Sequence, residues 1–165
     1  MHPVGFEDFV SREQPALLRL AVLLAGDRGH AEDLVQTALL KSYRHWARIT
    51  RAGDPTAYVR RVLVTTHTSW RRRSSTTEQV VESFPDRADP VLPREDEEDL
   101  RTALRALPPR MRAAVVLRYY ADLSEEQAAE AMGCSASTVN TQTARGLARL
   151  RSLLAPPVLV PEEGP

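Results

Sequence analysis

Apolar residues recur at helical spacing in the first part of the chain. Leu17, Ala21 and Leu24 lie three or four positions apart, and they are followed by Gly26, a residue type that commonly ends helices. A second stripe predicts a helix that begins near His30 and continues for four or five turns, to about residue 48. Its apolar face would comprise Ala31, Leu34, Val35, Ala38, Leu39, Ser42 and Trp46.

A third helix has a clear start signal. A polar loop predicted at 48–53 precedes Asp54 and Pro55, which suit the N-cap and the first helical position. Helical periodicity then continues to Arg73 and separates two faces. The apolar face holds Tyr58, Val59, Val62, Leu63, Thr66 and Trp70, and the polar face holds Arg60, Arg61, Thr65, Thr68, Arg71 and Arg72. The β-branched run at 62–68 would also suit a strand, but its periodicity favours a helix.

The second part of the chain is separated from the first by a segment without periodicity. Residues 74–94 are rich in Ser, Thr, Asp and Pro, which indicates a flexible linker. Helical spacing resumes near Leu100 and, after an interruption at Pro108-Pro109, continues to the end of the block. We therefore predict an all-α protein with two small helical domains, at 1–73 and 95–155, and a disordered tail at 156–165.

The strongest motif lies in the second block. Ser124 and Gln127 have the spacing of a capping box, Gly133 suits a left-handed helix end, and Ser135 can cap another helix only two residues later. Two capped helices joined by so short a turn predict a helix-turn-helix, whose second helix suits the major groove of DNA. Its outward face carries the candidate contacts Ser137, Thr138, Asn140, Thr141, Arg145 and Arg149. The alternative is an ordinary helical hairpin with a solvated polar face.

Charge is segregated along the chain, although the formal net charge is zero. Residues 1–73 hold 12 basic and 7 acidic side chains, residues 74–99 hold 2 and 9, and residues 100–165 hold 8 and 6. Two cationic blocks thus flank an acidic connector, which favours an anionic partner for the blocks. On the third helix, the arginines could fix phosphates. Tyr58 and Trp70 could stack on unpaired bases, although packing in the core explains these two aromatics better.

Several function classes are disfavoured by residue content. The four histidines and many carboxylates show no metal-ligand spacing, and no glycine-rich phosphate loop is present. We therefore expect no metal, no cofactor and no catalytic residues, which argues against a hydrolase or nuclease. The single cysteine, Cys134, excludes an internal disulfide, and no apolar run is long enough to span a membrane. These features favour a cytoplasmic protein without membrane insertion.

One apolar residue of the second predicted helix lies outside its apolar face. Leu40 is opposite the apolar stripe, and polar side chains at 33, 36, 37 and 44 surround it. A single exposed leucine is common in proteins. On a long helix with a polar rim, however, it could also dock a protein partner.

Taken in order, the motifs of both blocks resemble one family. They are AEDLVQ at 31–36, KSYRHW at 41–46, DPTAYVRR at 54–61 and SWRRR at 69–73, then LPPR at 107–110, VLRYY at 116–120, LSE at 123–125 and GCS at 133–135. Their order and spacing resemble the extracytoplasmic-function (ECF) sigma factors of bacterial RNA polymerase, most closely an actinobacterial SigE-like subgroup. The resemblance implies a promoter-specificity subunit rather than an enzyme.

The resemblance also implies roles for the two domains. Residues 1–73 would be sigma region 2, with polymerase-clamp contacts at Glu32, Asp33, Gln36, Thr37, Leu40 and Arg44. The same domain would contact and melt the minus-ten element through Arg48, Arg51, Arg60, Arg61, Thr65, Thr68, Arg71 and Arg72. Residues 95–155 would be region 4. The second helix of its helix-turn-helix would recognise the minus-thirty-five element through its outward face.

The implied partners are core RNA polymerase, through the β′ clamp and the β flap, and promoter DNA. An anti-sigma factor remains open as a further partner. The alternative function is a stand-alone helix-turn-helix transcriptional regulator, in which the first block is a sensor or a dimerisation module.

Overall fold

The computed structural model describes residues 5–76 and 95–155, and the side chains of residues 5–73 and 98–155. These residues form eight α-helices and one π-helical turn, and within them there is no β-strand. The helices are α1 (Phe6–Ala25), α2 (Arg28–Tyr43), α3 (Trp46–Ala52), α4 (Pro55–Thr76), α5 (Glu95–Ala106), α6 (Pro109–Val115), α7 (Glu125–Met132) and α8 (Ala136–Leu154). The all-α prediction is confirmed. Most of the predicted linker and the whole predicted tail lie outside the described residues.

Helices α1 to α4 form the first helical group, in which α2 packs against both α1 and α4. Gly26 ends α1 in the left-handed conformation, with φ at 76°, and its N–H donates to the Val22 carbonyl at 2.8 Å. The Asp27 carboxylate then accepts a hydrogen bond from the backbone N–H of His30 at 2.9 Å, so it caps α2. A helix end at Gly26 followed directly by a helix start at Asp27 makes the chain reverse sharply between α1 and α2.

The junction between α2 and α3 differs from the prediction. We expected one continuous helix to about residue 48 and a polar loop after it, but α2 ends at Tyr43 and α3 occupies the predicted loop. The N–H of His45 donates to the Ser42 carbonyl at 3.1 Å, which closes a tighter turn. This turn brings the indole of Trp46 to 5.1 Å from the Phe6 ring and 4.9 Å from the Phe9 ring, measured between centroids. Burial of the indole against α1 stabilises the break.

Helix α4 is confirmed, including its start. The Asp54 carboxylate accepts a hydrogen bond from the Ala57 N–H at 3.1 Å. Three side chains of the predicted apolar face, Val59, Leu63 and Thr66, are fully or almost fully buried. The Thr66 hydroxyl donates to the Val62 carbonyl at 2.7 Å and accepts from the Lys41 ammonium at 3.2 Å, so this buried polar group has two partners. The helix extends three residues into the predicted linker.

Helices α5 to α8 form the second helical group, with α8 packed against α5, α6 and α7. Pro109 is the first residue of α6, as expected for a residue without an N–H. The chain then continues from α6 into a π-helical turn at Val116–Tyr120, which the sequence pattern did not predict. Gly146 allows α6 and α8 to approach closely. A Cβ there would lie 2.6 Å from Val115 Cγ2 and 3.3 Å from the Met111 carbonyl oxygen.

The two helical groups are in contact. Helix α4 packs against α7, and α1 packs against α5, α6 and the π-helical turn. One guanidinium nitrogen of Arg72 donates to the Gly133 carbonyl at 3.2 Å, which joins α4 to the turn between α7 and α8. The buried residues of the two groups form one hydrophobic cluster.

Replacing Gly146 should test the close approach of α6 and α8. Gly146→Ala places a methyl group against Val115 and should lower the free energy of unfolding by about 1–3 kcal/mol. The control is Gly29→Ala in the first turn of α2, where the new Cβ meets only the Asp27 carboxylate at 3.4 Å. Alanine there should be neutral or stabilise the fold by up to about 1 kcal/mol. Urea unfolding measures both values, and an unchanged Gly146→Ala stability would contradict the packing.

Candidate nucleic-acid interface

The helix-turn-helix is built from two capped helices. The Ser124 hydroxyl accepts from the Gln127 N–H at 3.1 Å, and the Gln127 side chain accepts from the Ser124 N–H at 2.9 Å. Gly133 ends α7 with φ at 67°. The Ser135 hydroxyl then accepts from the Thr138 N–H at 3.1 Å and caps α8. Both predicted caps and the left-handed glycine are therefore confirmed.

Helix α8 has a buried side and an exposed side. Val139, Thr143, Gly146 and Leu150 are buried against the rest of the second helical group. Five of the six predicted contact residues are exposed, namely Ser137, Asn140, Thr141, Arg145 and Arg149. Thr138 is half-buried, and its hydroxyl lies 2.9 Å from that of Ser135. An exposed row of amide, hydroxyl and guanidinium groups can contact both base edges and phosphates in a major groove.

A second polar surface runs along α3 and α4. Arg48 and Arg51 are exposed on α3, a helix where a loop was predicted. On α4, Arg61, Thr65, Arg71 and Arg72 are exposed, whereas Arg60 and Thr68 are half-buried. The hydroxyls of Thr65 and Thr68 donate to the carbonyls of Arg61 and Val64, so both oxygens remain acceptors for an incoming donor. Tyr58 and Trp70 are half-buried and pack against the core, which favours the packing interpretation.

The predicted protein-docking face lies on α2. Leu40 is 67% exposed, and it borders a groove of about 400 Å³ that Phe6, Val10, Leu39 and Tyr43 also line. The predicted neighbours Asp33, Gln36 and Arg44 are exposed, Thr37 is half-buried, and Glu32 is ion-paired with Arg28 at 3.0 Å. An apolar groove with a charged rim has the composition of a protein interface.

The junction between the helical groups contains two polar residues that the sequence pattern did not place in the interior. His67 and Arg112 are each only 7% exposed. Within the described parts of the chain, His67 Nε2 and Arg112 Nε have no hydrogen-bond partner. Burial first, and then the charges of Arg71, Arg112 and His30, lower the pKa of His67 to about 4. His67 lies three positions after Val64 on α4, a spacing that could have indicated its burial.

Comparison with known proteins shows two matching family models. Residues 9–77 match Sigma-70 region 2, and residues 97–150 match Sigma-70, region 4. RNA polymerase sigma-E factors of Streptomyces avermitilis and Streptomyces coelicolor are each 40% identical over 151 residues. The match spans 90% of this chain and 84% and 85% of those proteins. The ECF RNA polymerase sigma factor SigE of Mycolicibacterium smegmatis is 30% identical over 92% of this chain and 62% of that protein.

The chain is an ECF sigma factor of the SigE-like group. Its fold is also similar to that of a solved sigma factor, RpoE from Bartonella quintana in complex with the anti-sigma factor NepR. That match has a TM-score of 0.69 and 26% identity over 90% of this chain and 96% of the other. A sigma factor gives RNA polymerase its promoter recognition, so the predicted function and the predicted partners, core polymerase and promoter DNA, are confirmed. A stand-alone regulator is not favoured.

Within residues 5–76 and 95–155, no group of three or more His, Cys, Asp or Glu side chains is placed to hold a metal ion. No helix in the same ranges is both long and apolar enough to cross a membrane.

The buried His67 predicts a pH dependence of stability. Because its folded pKa of about 4 lies below its ordinary value of 6.5, the unfolded chain takes up a proton first as the pH falls. Stability should therefore decrease between pH 6.5 and 4, by about 3 kcal/mol in total from this residue. Urea unfolding across this pH range should show a steeper loss of stability in the protein with His67 than in His67→Gln. Parallel pH profiles would contradict the assigned environment.

Proposed function

We propose that the two helical groups of this sigma factor divide promoter recognition between them. Residues 1–73 would bind the polymerase clamp and open the minus-ten element, residues 95–155 would bind the minus-thirty-five element, and residues 74–94 would connect them. The observation that carries this proposal is the exposed polar face of α8, the second of the two capped helices. This exposure leaves a recognition helix free to enter a groove.

At the upstream element, α8 would bind intact duplex DNA. The guanidinium of Arg145 suits the two acceptors of guanine, and the amide of Asn140 suits adenine. Thr141 and Arg149, exposed on the same helix, would contact phosphates and fix the register of the helix.

At the downstream element, α3 and α4 would hold a separated strand. Their exposed arginines neutralise phosphates, and their threonine hydroxyls offer acceptors beside them. Binding of unpaired bases would offset the free energy of unstacking, as in other proteins that extract bases from a duplex. This mechanism involves binding alone, so the protein would need no catalytic residue and would not be an enzyme.

Leu40 and its groove would receive a helix of the β′ clamp, while the β flap would bind the second helical group. Apolar contact in the groove would supply affinity, and the rim formed by Asp33, Gln36 and Arg44 would set the orientation of the partner. Because core polymerase and promoter DNA are in the bacterial cytoplasm, the protein would act there.

Promoter binding would require the two helical groups to separate. While Arg72 donates to the Gly133 carbonyl, the end of α4 is held against the turn between α7 and α8, and two distant promoter elements cannot both be reached by one compact body. An anti-sigma factor would act on the same equilibrium, since the similar RpoE has been solved in complex with one. Such a partner would keep the protein inactive by favouring the closed form, in which the two helical groups are in contact.

Reconstituted run-off transcription tests this function directly. Core polymerase and the purified protein should together initiate at a cognate promoter, and neither should do so alone. Promoter fragments lacking the upstream or the downstream element separate the two recognition steps. If the protein bound duplex promoter DNA tightly but never activated core polymerase, the division of roles proposed above would be wrong.

Polymerase docking should depend on Leu40. Leu40→Glu introduces a carboxylate into the apolar contact and should reduce co-purification with core polymerase at least tenfold, since burying an unpaired charge is costly. The control is Gln14→Glu, which adds the same charge at an exposed position of α1, away from both proposed polymerase contacts. Circular dichroism should show unchanged helix content in both variants. If Leu40→Glu co-purified normally with core polymerase, the clamp contact would not lie at Leu40.

Sequence recognition should depend on Arg145. Arg145→Ala should weaken binding of the holoenzyme to the upstream element by about 1–3 kcal/mol and relax its base preference at one position. Arg19→Ala, at an exposed arginine of α1, removes the same charge away from the proposed interface and is the control. Competition binding with promoter variants measures both effects. A uniform loss across all sequences would instead make Arg145 a phosphate contact.

A further inference from the structure

A cavity lies between the two helical groups and is rich in positive charge. It has a volume of about 400 Å³, and its walls come from α4, α6 and α7. The cationic and polar lining residues are His67, Thr68, Arg71, Arg72 and Arg110, and the remaining lining is apolar. The volume falls within the range of about 300–1,000 Å³ that is typical of small-molecule sites.

Among the residues whose side chains are described, three arginines in or beside this cavity have no acidic partner. Within residues 5–73 and 98–155, no carboxylate forms an ion pair with Arg71, Arg110 or Arg112. The pKa of Arg112 is lowered first by burial and then by the neighbouring charges of Arg71 and Arg105, and burial lowers the pKa of Arg71. Several cations thus repel one another across a partly desolvated space.

Two nitrogen atoms in or beside the cavity lack partners. His67 lines the cavity, is more than nine-tenths buried, and has an unpaired Nε2 atom among the described residues. Arg112 is equally buried, and its Nε is unpaired in the same set of residues. Buried polar groups normally have hydrogen-bond partners, so unpaired ones beside a polar cavity point to a ligand.

We propose that this cavity binds a compact phosphate-bearing anion, held by Arg71 of α4 and Arg110 of α6 with His67 behind them. A phosphate group offers several acceptor oxygens and a negative charge that complements those of Arg71 and Arg110. A DNA duplex is too wide for a cavity of about 400 Å³ between packed helices. Because the ligand contacts both helical groups, it favours the closed form. Given the proposed role of Arg71 at the promoter, the same anion opposes DNA binding.

Isothermal titration calorimetry with the full chain tests this site. Inorganic phosphate, pyrophosphate and adenosine diphosphate are titrated separately at pH 7.5 and constant ionic strength, because unspecific attraction depends on salt. Saturable binding of one anion per chain is expected, and the three probes distinguish a free phosphate from a nucleotide. Absence of saturable binding for all three anions overturns the proposal.

Matched charge-removing variants locate the site. Arg110→Gln removes an exposed lining charge that has no proposed role at the promoter, and it should weaken binding about tenfold through the loss of one charge-assisted hydrogen bond. Arg19→Gln removes an exposed arginine of α1 and should leave the affinity unchanged. Equal affinities of the two variants overturn the proposal. This result is independent of transcription, so it does not depend on whether the proposed promoter contacts are correct.

The His67 imidazole provides a second measurement. The groups whose positive charge acts on this ring are Arg71 on the same helix, Arg112 from α6 and His30 from α2. A bound anion should raise the pKa of His67 from about 4, since negative charge favours the imidazolium form. The NMR titration of this ring, assigned by its absence in His67→Gln, should shift upward with pyrophosphate in the protein and in Arg19→Gln. An unchanged titration shows that the anion binds elsewhere, which overturns the proposal.

Discussion

The proposed strand-binding surface and the junction between the two helical groups both depend on how α4 is buried. This helix packs against α1, α2 and α3 through a face centred on Val59 and Leu63, both inaccessible to solvent. Burial of that face fixes the rotation of the helix, so its arginines must point outward and towards the second helical group. The first part of the opposite face, with Arg61 and Thr65, is exposed, and it is here that we propose an unpaired DNA strand to bind. Its last three turns, which carry His67 and Arg72, form the junction with α6 and α7.

Local sequence signals were sufficient for much of this structure. The ends of α1 and α7, the start of α4 and both caps of the helix-turn-helix are each determined by one glycine or by a side chain within three residues of the helix end. The exposed faces of α2 and α8 followed from periodicity alone. For the same reason, most of the candidate contact residues were found on accessible surfaces.

The features that sequence reasoning missed depend on distant contacts. The break after Tyr43 is stabilised by the packing of Trp46 on α1, far away in the chain. The burial of His67 and Arg112 arises only where two helical groups meet, and neither group alone contains that information. Gly146 was also overlooked, because only the position of Val115 on α6 explains why a side chain cannot fit there.

The two sides of α8 have separate tasks. Gly146 and its buried neighbours hold the helix in place, whereas the exposed side chains proposed to contact DNA contribute little to the packing of the second helical group. Exchanges among these exposed residues therefore carry a small cost in folding stability. A duplicated copy of such a protein can consequently diverge towards new promoters through a few substitutions while its scaffold stays the same, which helps one fold to serve many sets of genes.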